Sequence, residues 1–176
     1  MQVELFERGS CEMSRVWAMP NPYTFQIPAI SDLLAKWLKG RAVILDPFCG
    51  ASMWASHSND LALGGVDAGL ACEQWRADGV VADAVLFDPP YSPRQITEVY
   101  KSVGLDIGTT ETQNAALYRR VRDSLDILLK PGGVALSFGW NSVGFGSHRG
   151  YSKLEIMLVC HGGAHNDTVC VVEQKV

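Results

Sequence analysis

The sequence predicts an α/β fold built on a mostly parallel sheet. Three observations carry that reading: wholly apolar short runs at 42–45 and 84–87, helical stripes between the strand-like runs, and a closing pair of strands around a glycine turn. A strand that is apolar at every position is buried on both faces, which is the situation of strands in a parallel sheet.

Taken in order, Val16-Trp17-Ala18 is a short strand-like piece, broken by Pro20, Asn21 and Pro22. Apolar residues then recur at helical spacing at Ile30, Leu33, Leu34, Trp37 and Leu38; Pro28 or Ser31 marks the start and Gly40 the stop. Ala42 to Leu45 reads as a buried strand ending at Asp46-Pro47. The turn from Phe48 to Ser52 leads into a short helix-compatible piece reaching about His57. Residues 61–83 carry scattered glycines, with a helix around Leu70 to Arg76. Ala84 to Phe87 is the next strand. Residues 92–110 read mainly as an irregular loop in which Ile96, Val99 and Tyr100 give a helical turn or two. A helix follows with Leu117, Val121, Leu125, Leu128 and Leu129 on one stripe, and Thr110 or Thr112 as its cap. Lys130-Pro131-Gly132-Gly133 stops it. Val134 to Phe138 starts another strand, and Leu154 to Cys160 with Thr168 to Glu173 makes the terminal hairpin.

At 176 residues, with 47% hydrophobic and 19% charged residues, the sequence predicts one catalytic-sized globular domain spanning 1–176. A net charge of −4 excludes a broad cationic surface, so any nucleic-acid contact must be local and salt-sensitive. No signal peptide and no bilayer-length apolar run is present, which predicts a soluble cytoplasmic protein without membrane partners. Five cysteines without framework spacing fit a reducing compartment. Cys160, His161, His165 and Cys170 have ligand chemistry, but the pattern around them is strand, turn, strand and lacks a C-x-x-C knuckle; no metal is expected.

The most informative stretch is Asp88-Pro89-Pro90-Tyr91, closing the apolar run Ala84 to Phe87. Two prolines have no N–H for a sheet ladder, so the strand ends there. The residue before a proline is extended, which places Asp88 at the strand tip. An acid, a fixed carbonyl and an aromatic ring then stand together where open α/β sheets bind ligands, and a flat, amino-bearing molecule such as a nucleobase suits that group. Asp46-Pro47-Phe48-Cys49-Gly50 is a second strand end with a tight turn, read here as placing a helix N-terminus and bare N–H groups beside the sheet. It lacks the glycines a dinucleotide requires, but a small zwitterion such as S-adenosylmethionine needs fewer.

Together these two motifs resemble those of the amino-methyltransferases that act on DNA bases, the adenine-N6 and cytosine-N4 enzymes, with the Asp-led form more typical of adenine. The resemblance covers most of the chain. The segment from Asn21 to Pro28, with Thr24 and Phe25, is similar to the family's amino-terminal cofactor motif, and Asp46, Pro47, Phe48, Cys49 and Gly50 to its main one. Asn59-Asp60 stands where the family places the acid that binds the ribose hydroxyls, and Asp67 near the adenine of the cofactor. This motif order is that of the family's gamma group, and the chain looks most similar to compact adenine methylases of phage type. The resemblance implies a seven-stranded methyltransferase-type Rossmann sheet with an antiparallel last strand.

It also implies an S-adenosylmethionine-dependent enzyme methylating adenine N6 in DNA. Alternatives are a cytosine-N4 or RNA-base methyltransferase, or a non-catalytic subunit of a partner methyltransferase. Catalysis falls to Asp88, Pro89, Pro90 and Tyr91. The Asp88 carboxylate and Pro89 carbonyl accept hydrogen bonds from the amine, and Tyr91 stacks on a base flipped from the duplex. Arg94, Lys101, His148, Arg149 and Lys153 are the candidate phosphate contacts, and Trp140 closes the base pocket. Arg119, Arg120 and Arg122 fall on the polar side of their helix. The chain departs from the family in having Ala51-Ser52 after Gly50 and a short passage from Gly50 to Asn59. Gamma-group enzymes carry a recognition domain after the catalytic region and none follows here, so sequence choice is expected to come from loops or from a partner, or to be weak. The partners expected beside DNA are a second copy in a homodimer or a separate specificity partner, as in a restriction-modification setting.

Overall fold

The computed structural model describes residues 11–90, 93–104, 114–163 and 165–176. In chain order they form β1 (Glu12–Trp17), α1 (Pro28–Leu38), β2 (Ile44–Asp46), β3 (His57–Ser58), α2 (Ala68–Ala77), β4 (Ala82–Phe87), α3 (Pro93–Ser102), α4 (Asn114–Leu128), β5 (Leu129–Gly139), β6 (Tyr151–Cys160) and β7 (Thr168–Lys175). The strands make one seven-stranded sheet in the order β1-β6-β7-β5-β4-β2-β3. Only β7 runs against its neighbours, pairing antiparallel with both β5 and β6. The predicted parallel sheet with an antiparallel closing hairpin is therefore present. Its seventh strand is the amino-terminal β1, which lies parallel to β6 from Glu12↔Glu155 to Trp17↔Cys160.

Alternation along the strands divides the core into two layers. Ile44, Ala84, Leu86, Val134, Leu136 and Phe138 face α1, whose Ile30, Leu33, Leu34 and Leu38 are buried against them. Leu45, Val85, Phe87 and Ala135 face the other way, against Ala68 and Cys72 of α2 and Val121, Leu125 and Leu128 of α4. Each of these Leu, Ile or Val side chains contributes about 1.5–3 kcal/mol by leaving water. Truncating one that is fully buried, such as Leu34, costs about 2–5 kcal/mol. Pro28 starts α1, where a missing N–H is harmless, and Gly40 ends it at φ +76°.

Three local expectations are corrected. No helix follows the Gly50 turn. The Ser56 hydroxyl accepts the Ile44 N–H at 2.9 Å and donates to the Ile44 carbonyl at 3.1 Å, and the Asn59 N–H reaches the Asp46 carbonyl at 2.9 Å. These bonds draw the chain back alongside β2 at once, leaving no length for a helix. Residues 93–102, expected to be mainly loop, form α3; its apolar stripe is narrow, but Ile96 is only 1% exposed. Leu129 opens β5 by pairing with Ala82 instead of closing α4, and residues 130–133 pass as an irregularity in that pairing. The proposed caps Thr110 and Thr112 lie outside the described residues. Among the described residues, no helix is long and apolar enough to cross a membrane.

Candidate active site

Strands β2 and β4 are neighbours, with Leu45 opposite Val85, so their carboxyl ends open side by side. A cavity of about 400 Å³ lies over those two ends. It is lined by the Phe48-Cys49-Gly50 turn, by Asp88-Pro89-Pro90 and by the Tyr23–Gln26 segment, which contains Thr24 and Phe25. Asp60 also lines it. Three stretches far apart in the sequence thus surround one space. Tyr91 lies outside the described residues.

The charge around this cavity has one sign. Asp60 and Asp88 line it and, among the described residues, no Lys, Arg or His does. Asp46 and Pro47 do not line it: Asp46 is fully buried and Pro47 buried beside it. One Asp46 oxygen accepts the Phe48 N–H at 3.1 Å, and the other has no hydrogen-bond partner among the described residues. Burial pushes the Asp46 carboxyl up to about 8, the Phe48 hydrogen bond opposes the rise, and the charges of Asp88 and Asp60 add to it. Burial, then Asp46 and Asp60, also raises the Cys49 thiol, so no thiolate nucleophile stands here at neutral pH. A phosphate would be repelled from such a wall; a cation would be drawn in.

Asp60 is a structural tie as well as a wall. Its two oxygens accept the Gly50 and Ala62 N–H groups, each at 2.9 Å. The Gly50 N–H, read from sequence as bare, is therefore occupied. Asp67 lies outside the lining: it caps α2 through the Gly69 and Leu70 N–H groups, accepts the Tyr100 hydroxyl at 2.6 Å and pairs with Arg120.

Across Pro89 is a second, smaller cavity of about 90 Å³, lined by Pro89, Tyr118, Arg122, Ser137, Trp140 and Asn141 among others. Trp140 is 48% exposed at its rim. The proposed phosphate contacts do not gather there. Arg149 donates to Asp123 at 2.7 Å and to the Phe145 carbonyl at 3.1 Å. Lys153 lies 3.3 Å from the Val143 carbonyl and 3.5 Å from buried Glu173, and Arg94 pairs with Glu98 at 2.7 Å. Lys101 and His148 are exposed. Cys160 and Cys170 are buried strand residues, and the two ring nitrogens of His161 lie 3.0 Å from the Ala18 carbonyl and the Thr168 hydroxyl.

Sequence reasoning missed Trp54 and Met53 on the first cavity and Tyr118, Arg122 and Ser137 on the second. For Tyr118 and Arg122 a signal was present. Their four-residue spacing puts them on one row, bordering the apolar stripe that holds Val121 and Leu125.

The fold matches that of S-adenosylmethionine-dependent methyltransferases of known structure. The N-methyltransferase NodS from Bradyrhizobium japonicum WM9, in complex with S-adenosyl-L-homocysteine, superposes with a TM-score of 0.52 at 12% identity, covering 88% of each chain. A putative SAM-dependent methyltransferase from Streptococcus mutans gives 0.50 at 14% identity, over 84% of this chain and 48% of its own. TrmN from Thermus thermophilus gives 0.48 at 18%, over 85% of this chain and 49% of its own. The chain thus spans about half the length of the latter two and most of NodS. No protein-family model and no curated protein sequence matches it.

Proposed function

We propose that the protein is an S-adenosylmethionine-dependent methyltransferase acting on the exocyclic amine of a nucleobase. The observation that carries this reading is the acid-walled cavity uniting the Phe48–Gly50 turn with Asp88-Pro89-Pro90. Its lining fits the cofactor: Asp60 and Asp88 favour a sulfonium and an ammonium, and the rings of Tyr23, Phe25, Phe48 and Trp54 offer apolar faces for an adenine. When bound, the cofactor supplies an electrophilic methyl group. The chain's own residues do the rest. The Asp88 carboxylate and the Pro89 carbonyl accept the two amine hydrogens and turn the nitrogen lone pair toward the methyl donor. As the nitrogen–carbon bond forms and the methyl–sulfur bond breaks, with the sulfur leaving as a neutral thioether, the nitrogen proton would become acidic and pass to Asp88 and on to solvent.

Adenine N6 in DNA is the acceptor that the Asp-led motif and the motif order favour. A base in RNA or another short single strand is favoured by a different observation. Arg149 and Lys153 are tied within the chain, so of the five candidate phosphate contacts only Arg94, Lys101 and His148 stand on the open surface, a smaller cationic face for a duplex. Labelled-methyl transfer to competing DNA and RNA oligonucleotides, followed by mass spectrometry of the nucleosides, decides between them. Absence of any methylated nucleoside from either polymer, with cofactor bound, would refute the nucleobase acceptor.

A further inference from the structure

The second cavity has the opposite chemistry to the first. Among the described residues, the buried side-chain polar atoms without a hydrogen-bond partner are Asp46 Oδ2, Tyr118 Oη, Arg122 Nε and Ser137 Oγ. The last three belong to residues lining this one small cavity. Buried polar groups are nearly always satisfied, so three orphans around one space mark a place built for something that brings acceptors.

Arg122 is the strongest of the three. Its guanidinium lies over the Phe87 ring, 5.1 Å from the centroid, in the same cavity wall as Pro89. Among the described residues, no carboxylate is within ion-pair distance of it. The nearby acids are committed: Glu173 accepts the Phe145 and Gly146 N–H groups and faces Lys153, and Asp123 holds Arg149. Burial, followed by the charge of Arg149, presses the Arg122 pKa down. Arg122 is half-buried, with its Nε fully buried and unbonded; leaving that donor unmet is costly, and an anion in the cavity would relieve it through charge-assisted bonds.

We infer that this cavity is an oxyanion subsite in which Arg122, Tyr118 and Ser137 receive a phosphoryl or carboxylate group carried by the methyl acceptor. Pro89 lines both cavities, so a substrate whose amine sits at Asp88 and Pro89 has its charged group within reach of Arg122. The chain would then hold a cation on one side of Pro89 and an anion on the other. What the oxyanion is attached to rests on the proposed function; the oxyanion site itself does not.

Calorimetric titration of the full chain with inorganic phosphate, and separately with acetate, tests the site. Saturable binding of either is expected, and the tighter of the two identifies the group as phosphoryl or carboxylate. Arg122→Met should weaken it at least tenfold, and Tyr118→Phe, which keeps the ring, about threefold. S-adenosyl-L-homocysteine titrated into the same variants reports whether they remain folded. No saturable binding of either anion to the unaltered protein, or equal binding by a folded Arg122→Met, overturns the inference. Adenosine 5′-monophosphate against adenosine then tests the attachment: a tenfold preference that vanishes in Arg122→Met places the anion on a nucleotide. Equal binding of those two, with inorganic phosphate still bound, counts against the nucleotide reading and leaves the oxyanion site standing.

Discussion

The Gly50 N–H donates to the Asp60 carboxylate at 2.9 Å, tying the turn after β2 to the second residue past β3. Gly50 takes φ +52° there, a conformation side-chain-bearing residues rarely adopt. The bond does the work an intervening helix would do, holding the turn against the sheet. Asp60→Ala removes the acceptor for both Gly50 and Ala62. It should cost about 1–3 kcal/mol in urea unfolding and weaken S-adenosyl-L-homocysteine binding about tenfold, equivalent to ~1.4 kcal/mol. Unaltered cofactor affinity would remove Asp60 from the cavity wall.

Asp46 makes stability depend on pH in a direction unusual for a carboxylate. Its folded-state pKa of about 8 lies above the ordinary 3.8, so the folded chain holds this proton more tightly than the unfolded one. Its contribution is fully present below the ordinary carboxylate range and is lost as pH rises through about 8. Asp46→Asn should flatten that decline relative to the unaltered protein in paired denaturation curves from pH 5 to 9. Parallel curves would contradict the assignment.

Cofactor binding should release a proton near neutral pH. A sulfonium brought close to Asp46 favours its charged form and lowers its pKa. Calorimetry in two buffers of different ionisation enthalpy reads the release directly, and Asp46→Asn should abolish it. An identical heat in both buffers would show that Asp46 does not sense the cofactor.

Asp88→Asn should lower methyl transfer by about 10²–10⁴, while S-adenosyl-L-homocysteine still binds within about threefold. Retained turnover would remove Asp88 from the chemistry. Equal loss of binding and turnover would instead make it a cofactor ligand.

Gly144 borders the second cavity at φ +62°, and a Cβ built there would lie 2.2 Å from the Glu173 carboxylate. That carboxylate is fully buried and holds the Phe145 and Gly146 N–H groups. Gly144→Ala must therefore strain the backbone and displace a buried charge, costing about 2–4 kcal/mol in urea unfolding. A loss below about 0.5 kcal/mol would mean the Glu173 loop is not held as described.

Much of the fold was legible because burial on two faces leaves a plain trace. Ile44-Leu45 and Ala84 to Phe87 are apolar at each step, and each neighbouring pair of residues feeds opposite layers. The prolines after Asp46 and Asp88 likewise revealed where the strands end. The absent helix after Gly50 was not legible, since hydrogen bonds of Ser56 and Asn59 to β2 decide it and carry no periodicity. Helix α3 was obscured by its thin apolar stripe, with only Ile96, Val99 and Tyr100 at helical spacing. In the site, the strand-tip acids could be read locally. The pairing of Arg149 with Asp123, and of Lys153 with Glu173, could not, because each joins segments that meet only in three dimensions.

Strand β7 is flanked by β5 and β6, so it is the rung on which half the sheet hangs. During synthesis β5 and β6 leave the ribosome first and have no direct pairing with one another. Until Thr168 to Lys175 emerges, each presents an open row of amides and carbonyls, and β1 has only an unanchored β6 to join. Insertion of β7 thus closes two open edges in one step and joins the β1–β6 pair to the rest of the sheet.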